Sequence, residues 1–231
     1  MSDHEVTRGE YKAVMGIDPS TAKAYDKDGN ELIGDDNVKN NPVNNISWYD
    51  ALVYCNTLSI KEGLTPCYAI DGKTHPSEWG AVPTEFDSTW DAATCDPKAN
   101  GFRLPTEAEW EWAARGGENY TYAGSDTIGD VAWYTGNTRD SGSRDVKTKN
   151  KNGYELYDMS GNVYEWCWDR YGSISSDTPS SGSGAILDST RCLRGGSWFY
   201  DSGKAQVAQR FNHDPNYRFK SYGFRVVCNA R

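Results

Sequence analysis

Residues 192–231 hold the densest set of chemically capable side chains in the sequence, and their types favour contact over catalysis. The segment opens with Cys192-Leu193-Arg194-Gly195-Gly196-Ser197-Trp198 and closes with Tyr222-Gly223-Phe224-Arg225-Val226. Between these blocks runs a loop-like mixture of Phe, Tyr, Asn, His, Asp, Ser and Arg. Covalent or redox chemistry there would need a nucleophile with a base, or a cluster of metal ligands. His213 stands alone, and no cysteine falls between Cys192 and Cys228. What the run can do is bind. Tyr, Phe and His offer large contact areas with only two torsions to freeze, and Asn, Ser and Asp add adaptable hydrogen bonds. The flanking blocks supply a frame: Gly195 and Gly196 for backbone conformations a Cβ would block, Trp198 as a buried anchor, and Arg210 and Arg225 for two-point bonds to carboxylates or carbonyls.

The other candidate chemistry is sulfur. Cys55, Cys67, Cys95, Cys167, Cys192 and Cys228 include no C-x-x-C pair, so a thiolate zinc site is not expected. Cys67 with Cys95, or Cys192 with Cys228, could bridge; buried free thiols are the equally weighted alternative. His4 and His75 are isolated like His213.

Two helices with clear start signals must hold this segment. Ser47 and Asp50 form a capping box before an apolar face of Trp48, Ala51, Leu52, Cys55 and Leu58, with Gly63 as the stop. Thr106 and Glu109 form a second box; Trp110, Ala113 and Ala114 face inward and Gly116-Gly117 ends the helix. Trp110 and Trp112 are both expected to play structural parts. Residues 5–11 read as a strand entering a short helix, and 26–46 as a polar loop. Short strands are expected at Val131–Tyr134, Val163–Trp168, Arg191–Arg194 and Tyr222–Val227, and a mobile surface loop over Ser173–Ser189. No linker or repeat divides the 231 residues, so residues 1–231 are expected to form one α+β domain with much irregular structure, of which 192–231 is the ligand-binding region.

Composition narrows the partners. A net charge of −9 would repel nucleic acid phosphates and anionic lipid headgroups alike. No apolar run approaches the roughly 18 residues of a membrane span. Nine Trp, 15 Tyr and 6 Phe can build a core despite a hydrophobic content of only 37%, and 23 Gly with 9 Pro predict many turns. The N-terminus has no signal-peptide pattern, so two locations stay open: the cytosol, or the cell surface or exterior if an upstream signal or lipid anchor has been removed.

Four ordered blocks identify a resemblance. Gly101-Phe102-Arg103-Leu104-Pro105-Thr106-Glu107-Ala108-Glu109-Trp110-Glu111, the stretch Gly153–Trp168, Arg194-Gly195-Gly196-Ser197-Trp198 and Gly223-Phe224-Arg225 resemble the formylglycine-generating-enzyme, or sulfatase-modifying-factor, superfamily. The likeness runs from Pro42 to the C-terminus and implies a C-type-lectin-like fold. Oxidase members carry two copper-binding cysteines shortly after the Gly-Gly-Ser-aromatic motif; here the matching positions look like Tyr200 and Ala205. Iron-dependent members need a histidine-rich partner domain that this sequence lacks. The resemblance therefore implies a protein that is not an enzyme, with a divergent metal-dependent oxidase as the alternative. In the enzymes, residues matching Asp158, Gly161, Val163 and Glu165 bind calcium, an arrangement of oxygen donors suited to a hard cation. In this chain they imply either a structural calcium site or plain hydrogen bonding of Asp158 and Glu165 to arginine or backbone. No cofactor for catalysis is expected.

A third branch fits better, the variable proteins of diversity-generating retroelements, ligand-binding proteins whose C-terminal repeat is mutated at template adenines; a spirochaete member is the one the pattern resembles most. Asn codons altered at adenine can become codons for Phe, Tyr, His, Asp, Ser and Gly but not for Lys, Trp, Gln or Glu. Phe199, Tyr200, Asp201, Ser202, Phe211, Asn212, His213, Asp214, Asn216, Tyr217 and Phe219 fall in the reachable set and form the expected variable face. Trp198, Lys204, Gln206, Gln209 and Lys220 fall outside it and are expected to be framework. The partner implied is a macromolecule, a protein or other cell-surface target, with no nucleic acid and no membrane insertion.

Overall fold

Three helices carry the frame, and each begins where a side chain takes over N–H groups that a first turn leaves unpaired. Thr7 with Glu10 opens Arg8–Met15, Ser47 with Asp50 opens Trp48–Lys61, and Thr106 with Glu109 opens Glu107–Arg115. The last two lie where the capping signals put them, and Gly116 ends the third in the left-handed conformation. The first is the short helix expected at the end of residues 5–11, extended to Met15; the strand expected before it is reduced to a single Thr7–Pro42 bridge of β type, because the Thr7–Glu10 box turns the backbone helical at once. In the computed structural model, residues 1–139, 141–173 and 189–229 are described. The loop expected over Ser173–Ser189 lies outside them apart from its two ends.

A four-stranded sheet sits at the centre, in the order Tyr222–Gly223, Tyr164–Arg170, Arg191–Arg194, Arg210–His213. Tyr222 pairs in parallel with Tyr164. The other neighbours are antiparallel, with Trp166 opposite Leu193 and Leu193 opposite Phe211. The C-terminal segment thus contributes both outer strands. Three smaller strand groups brace the periphery: Ala24–Tyr25 with Glu31–Leu32 and Ser143–Arg144, Tyr68–Ala69 with Thr94–Cys95, and Phe102–Arg103 with Val227–Cys228.

The mixed helix-and-strand fold agrees with expectation; several local readings do not. The polar stretch 26–46 contains the strand Glu31–Leu32 and the short helix Asp35–Val38. Residues 131–134 close the helical turn Ile128–Val131 and then touch Gly161 through a single bridge at Trp133, because an apolar run this short has no period of its own. The strand expected over Tyr222–Val227 splits in two: Phe224 and Val226 instead accept hydrogen bonds from Val6 and Ser2, tying the chain's opening residues to its end.

The core is aromatic. Trp48, Trp166, Tyr164, Tyr222 and Phe224 are enclosed, each ring contributing about 1.5–3 kcal/mol through burial. The two indoles also find backbone acceptors, Trp48 at Cys167 O (3.0 Å) and Trp166 at Ile46 O (2.8 Å). Trp112 departs from expectation. It is 67% exposed and stacks on Tyr154 with ring centres 4.7 Å apart. All six cysteines are free, four of them buried, so neither candidate bridge is formed.

Candidate ligand-binding face

The face begins at a double-glycine turn. Gly195 and Gly196 adopt φ of 92° and 74°, and a Cβ on Gly196 would lie 2.7 Å from the Lys204 carbonyl oxygen. This close approach folds residues 197–205 back over the frame. Trp198 is buried next to the turn; its N–H donates to Asn162 O, and its carbonyl accepts from the Thr138 hydroxyl, both at 2.8 Å. From that anchor the chain surfaces at Phe199, Tyr200, Asp201 and Ser202, and Asp201 caps the next turn by accepting from Gly203 N–H at 2.8 Å.

The second half rides on the edge strand Arg210–His213. Arg210 grips Glu107 with two hydrogen bonds of 2.6 Å, fixing the strand to the third helix. Beyond it, Pro215 is buried and its carbonyl accepts from Trp48 N–H (2.9 Å). Asn216 donates its amide to Thr84 O at 3.0 Å, and Arg218 holds Asp50 at 2.7 and 3.0 Å.

These two halves meet in one layer of rings. Tyr164 from the central strand stacks on Phe211 at 5.1 Å and meets the edge of Tyr200 at 5.4 Å. Phe199 links Tyr200 to Phe219, Phe219 faces Tyr217, and Tyr217 lies flat against His213 at 3.6 Å. Every one of the eleven expected positions is half-buried or exposed, with Asp201, Asp214 and Tyr217 the most open. Beneath them Arg194, Gly195, Gly196, Trp198 and Arg225 are all buried. Phe211 and Phe219 rest on the core with one side only. Burial lowers the pKa of His213, against the opposing pull of Asp214, and its Nδ1 accepts from Asp214 N–H at 2.9 Å. Tyr200 takes part in the ring layer, whereas Ala205 is sealed below it, its carbonyl accepting from the Ser160 hydroxyl at 2.8 Å.

Sequence reasoning missed two contributors. Tyr164 and Tyr222 form the fixed floor of the layer, signalled only by the alternation of large residues along Tyr164–Arg170. Thr84 brings its loop against Asn216, and no local pattern announces that contact.

Asp158, Gly161, Val163 and Glu165 lie in the frame. Glu165 is fully buried, and both its oxygens are taken: Arg225 donates at 2.6 and 2.7 Å and the Trp110 indole at 2.7 Å. Asp158 accepts from Lys147 N–H at 2.8 Å with one oxygen; its other oxygen is buried and has no hydrogen-bond partner. Gly161 donates its N–H to Gly195 O at 2.8 Å, and Val163 donates to buried Glu5 at 2.9 Å. With Glu165 already neutralised by a guanidinium, the four residues do not present a ready calcium site, and nothing below is derived through a metal.

This architecture has known relatives. The sequence profile of the sulfatase-modifying factor enzyme 1-like domain matches residues 1–230, and the chain belongs to that family. Among solved structures it is similar to Treponema denticola variable protein 1, at 38% identity and a TM-score of 0.84, covering 97% of this chain and 82% of that one. It is 35% identical over 244 residues to the chaperone protein LppX of Paenibacillus barcinonensis, spanning 97% of this chain and 78% of that protein. It is also 35% identical over 166 residues to the formylglycine-generating enzyme of Streptomyces coelicolor, a match covering 62% of this chain and 51% of the enzyme. Among the described residues no helix is long and apolar enough to cross a membrane.

Proposed function

We propose that this chain is a non-catalytic binding protein whose C-terminal face, residues 199–219, docks a macromolecular ligand and is diversified by a retroelement. One observation carries the reading: all eleven expected positions are half-buried or exposed, and six of them, Phe199, Tyr200, Phe211, His213, Tyr217 and Phe219, share one ring layer, while Arg194, Gly195, Gly196, Trp198 and Arg225 of the flanking motifs are buried. A surface that changes its contacts needs a support that does not depend on them. Likeness to a variable protein supports the reading, as does the run from Leu193 to Val227, which holds no cysteine and in which Tyr200 and Ala205 look like the positions of the oxidases' thiols. A protein partner at a cell surface suits the aromatic character of the face, since a few aromatic anchors at the centre of an interface can supply about micromolar affinity.

Selection of a random-peptide display library on the immobilised chain tests this. Enriched peptides are expected to lose about tenfold or more in affinity towards Tyr217→Ala and His213→Ala variants. Peptides indifferent to every substitution in the face would contradict it. In the genome, the proposal expects a second, nearly identical repeat differing at adenines beside a reverse transcriptase gene.

A further inference from the structure

The Tyr164 hydroxyl is a buried polar group without a partner among the described residues, and it lies under the face. Its ring is packed by Phe211 and Tyr200, and burial, then the proximity of Tyr200 and Asp201, hold its proton more tightly than usual. Leaving such a group unpaired costs about 1–3 kcal/mol, so it is a place where an incoming donor or acceptor gains. Around it stand two half-buried aromatic rings, Tyr200 and Phe211, and the exposed carboxylate of Asp201. Asp214 is the second exposed acid among the eleven variable positions, and none of the eleven is Lys or Arg. The layer already seats one cation of its own: the Lys220 ammonium lies 4.0 Å from the Phe199 ring centre.

Resting on the docking-face reading, we propose that this version of the face receives a cationic side chain, arginine or lysine, from a protein partner. The guanidinium or ammonium lies over the Tyr200 and Phe211 rings, pairs with Asp201 and donates to the Tyr164 hydroxyl. Aromatic faces attract cations through their quadrupole, and a nearby carboxylate makes that attraction selective for charge. Opening the approach to the hydroxyl takes a turn of Tyr200 about its two side-chain torsions, which gives up its side-chain hydrogen bond with Tyr222. Tyr164 belongs to the frame, so this contact persists while the surrounding residues vary.

The test uses three labelled Gly/Ser peptides with Arg-Leu-Arg, Gln-Leu-Gln or Glu-Leu-Glu at their centres, titrated against the full chain by fluorescence polarisation. The arginine peptide is expected to bind about tenfold more tightly than either other, and raised salt to weaken it. Asp201→Asn is expected to remove about tenfold, and Tyr164→Phe about fivefold with no loss of melting temperature, since the ring remains and an unpaired hydroxyl goes. The control is Glu62→Gln. Glu62 is exposed just past the C-terminal end of the Trp48–Lys61 helix, about 20 Å from the Trp48 end that abuts Pro215. Equal binding of the arginine and glutamine peptides, or a loss with Glu62→Gln as large as with Asp201→Asn, would overturn the proposal. If the glutamine peptide alone responds to Tyr217→Ala, the docking face survives and its cationic specificity falls. If no peptide responds to any substitution in the face, both fall.

Discussion

Arg210 and Glu107 form a two-point ion pair, with both N–H···O distances 2.6 Å, between the edge strand Arg210–His213 and the first turn of the third helix. Glu107 also accepts from Arg194 at 3.3 Å and from the Cys192 thiol at 3.2 Å, and burial of the Cys192 thiol, then Glu107 beside it, keeps that thiol protonated. Despite the burial that opposes it, the pairing holds the Glu107 carboxyl below its ordinary pKa. The support of the binding face is therefore electrostatic as well as aromatic. Glu107→Gln takes the counter-charge from Arg210, while Arg194 keeps Glu111 at 2.7 Å, and is expected to cost about 3–5 kcal/mol, measured by urea unfolding. A loss within about 0.5 kcal/mol would show that the clamp does not hold the strand.

Face and frame should separate in mutational scans. His213→Ala and Tyr217→Ala remove half-open rings, and each is expected to change stability by less than about 1 kcal/mol. Trp198→Ala and Phe224→Ala empty enclosed sites and are expected to cost about 3–5 kcal/mol. Thermal and denaturant unfolding of the four variants decides it; similar losses for both pairs would mean that the rings of the face are core.

Asp169 provides a pH signature. Burial raises its pKa from 3.8 to about 6, against the Glu107 N–H that donates to it at 2.6 Å. A carboxyl with a raised folded-state pKa holds its proton longer in the native protein than in the unfolded chain. Its contribution therefore favours folding at low pH and is lost as pH rises from about 4 to about 6, by roughly 3 kcal/mol at most. Asp169→Asn is expected to flatten the stability-versus-pH curve in that window. An unchanged slope would place the titration elsewhere.

Calcium can be tested directly. Because Arg225 and Trp110 occupy both oxygens of Glu165, addition of calcium or of a chelator is expected to leave the melting temperature unchanged. Stabilisation at calcium concentrations near micromolar would mean that Arg225 yields its place to the metal.

Helix starts were legible because capping boxes are local: Ser47 with Asp50 and Thr106 with Glu109 need only a four-residue window. The outward placement of the expected face was legible only in part: the eleven positions are half-buried or exposed, but of the residues expected to be framework only Trp198 is buried, Lys204, Gln209 and Lys220 being half-buried and Gln206 exposed. The frame's pairings were not legible. Arg225 reaches Glu165 across 60 residues and Arg210 reaches Glu107 across 103, separations that no periodicity encodes. The split of the Tyr222–Val227 run depended on contacts between the two ends of the chain, visible only once the fold is closed. Trp112 misled because its neighbour Trp110 faces inward; successive residues on a helix point about 100° apart, and two positions on they lie on nearly opposite faces.

The claim that the face varies independently of its support is tested most directly by display of a library randomised at the eleven positions, Phe199 through Phe219, with the adenine-reachable residue set. The fraction of clones that stay protease-resistant is the measurement. The account predicts that most clones stay folded, whereas the same randomisation at Arg194, Gly195, Gly196, Trp198 and Arg225 leaves almost none. Collapse of the first library to the level of the second would contradict it.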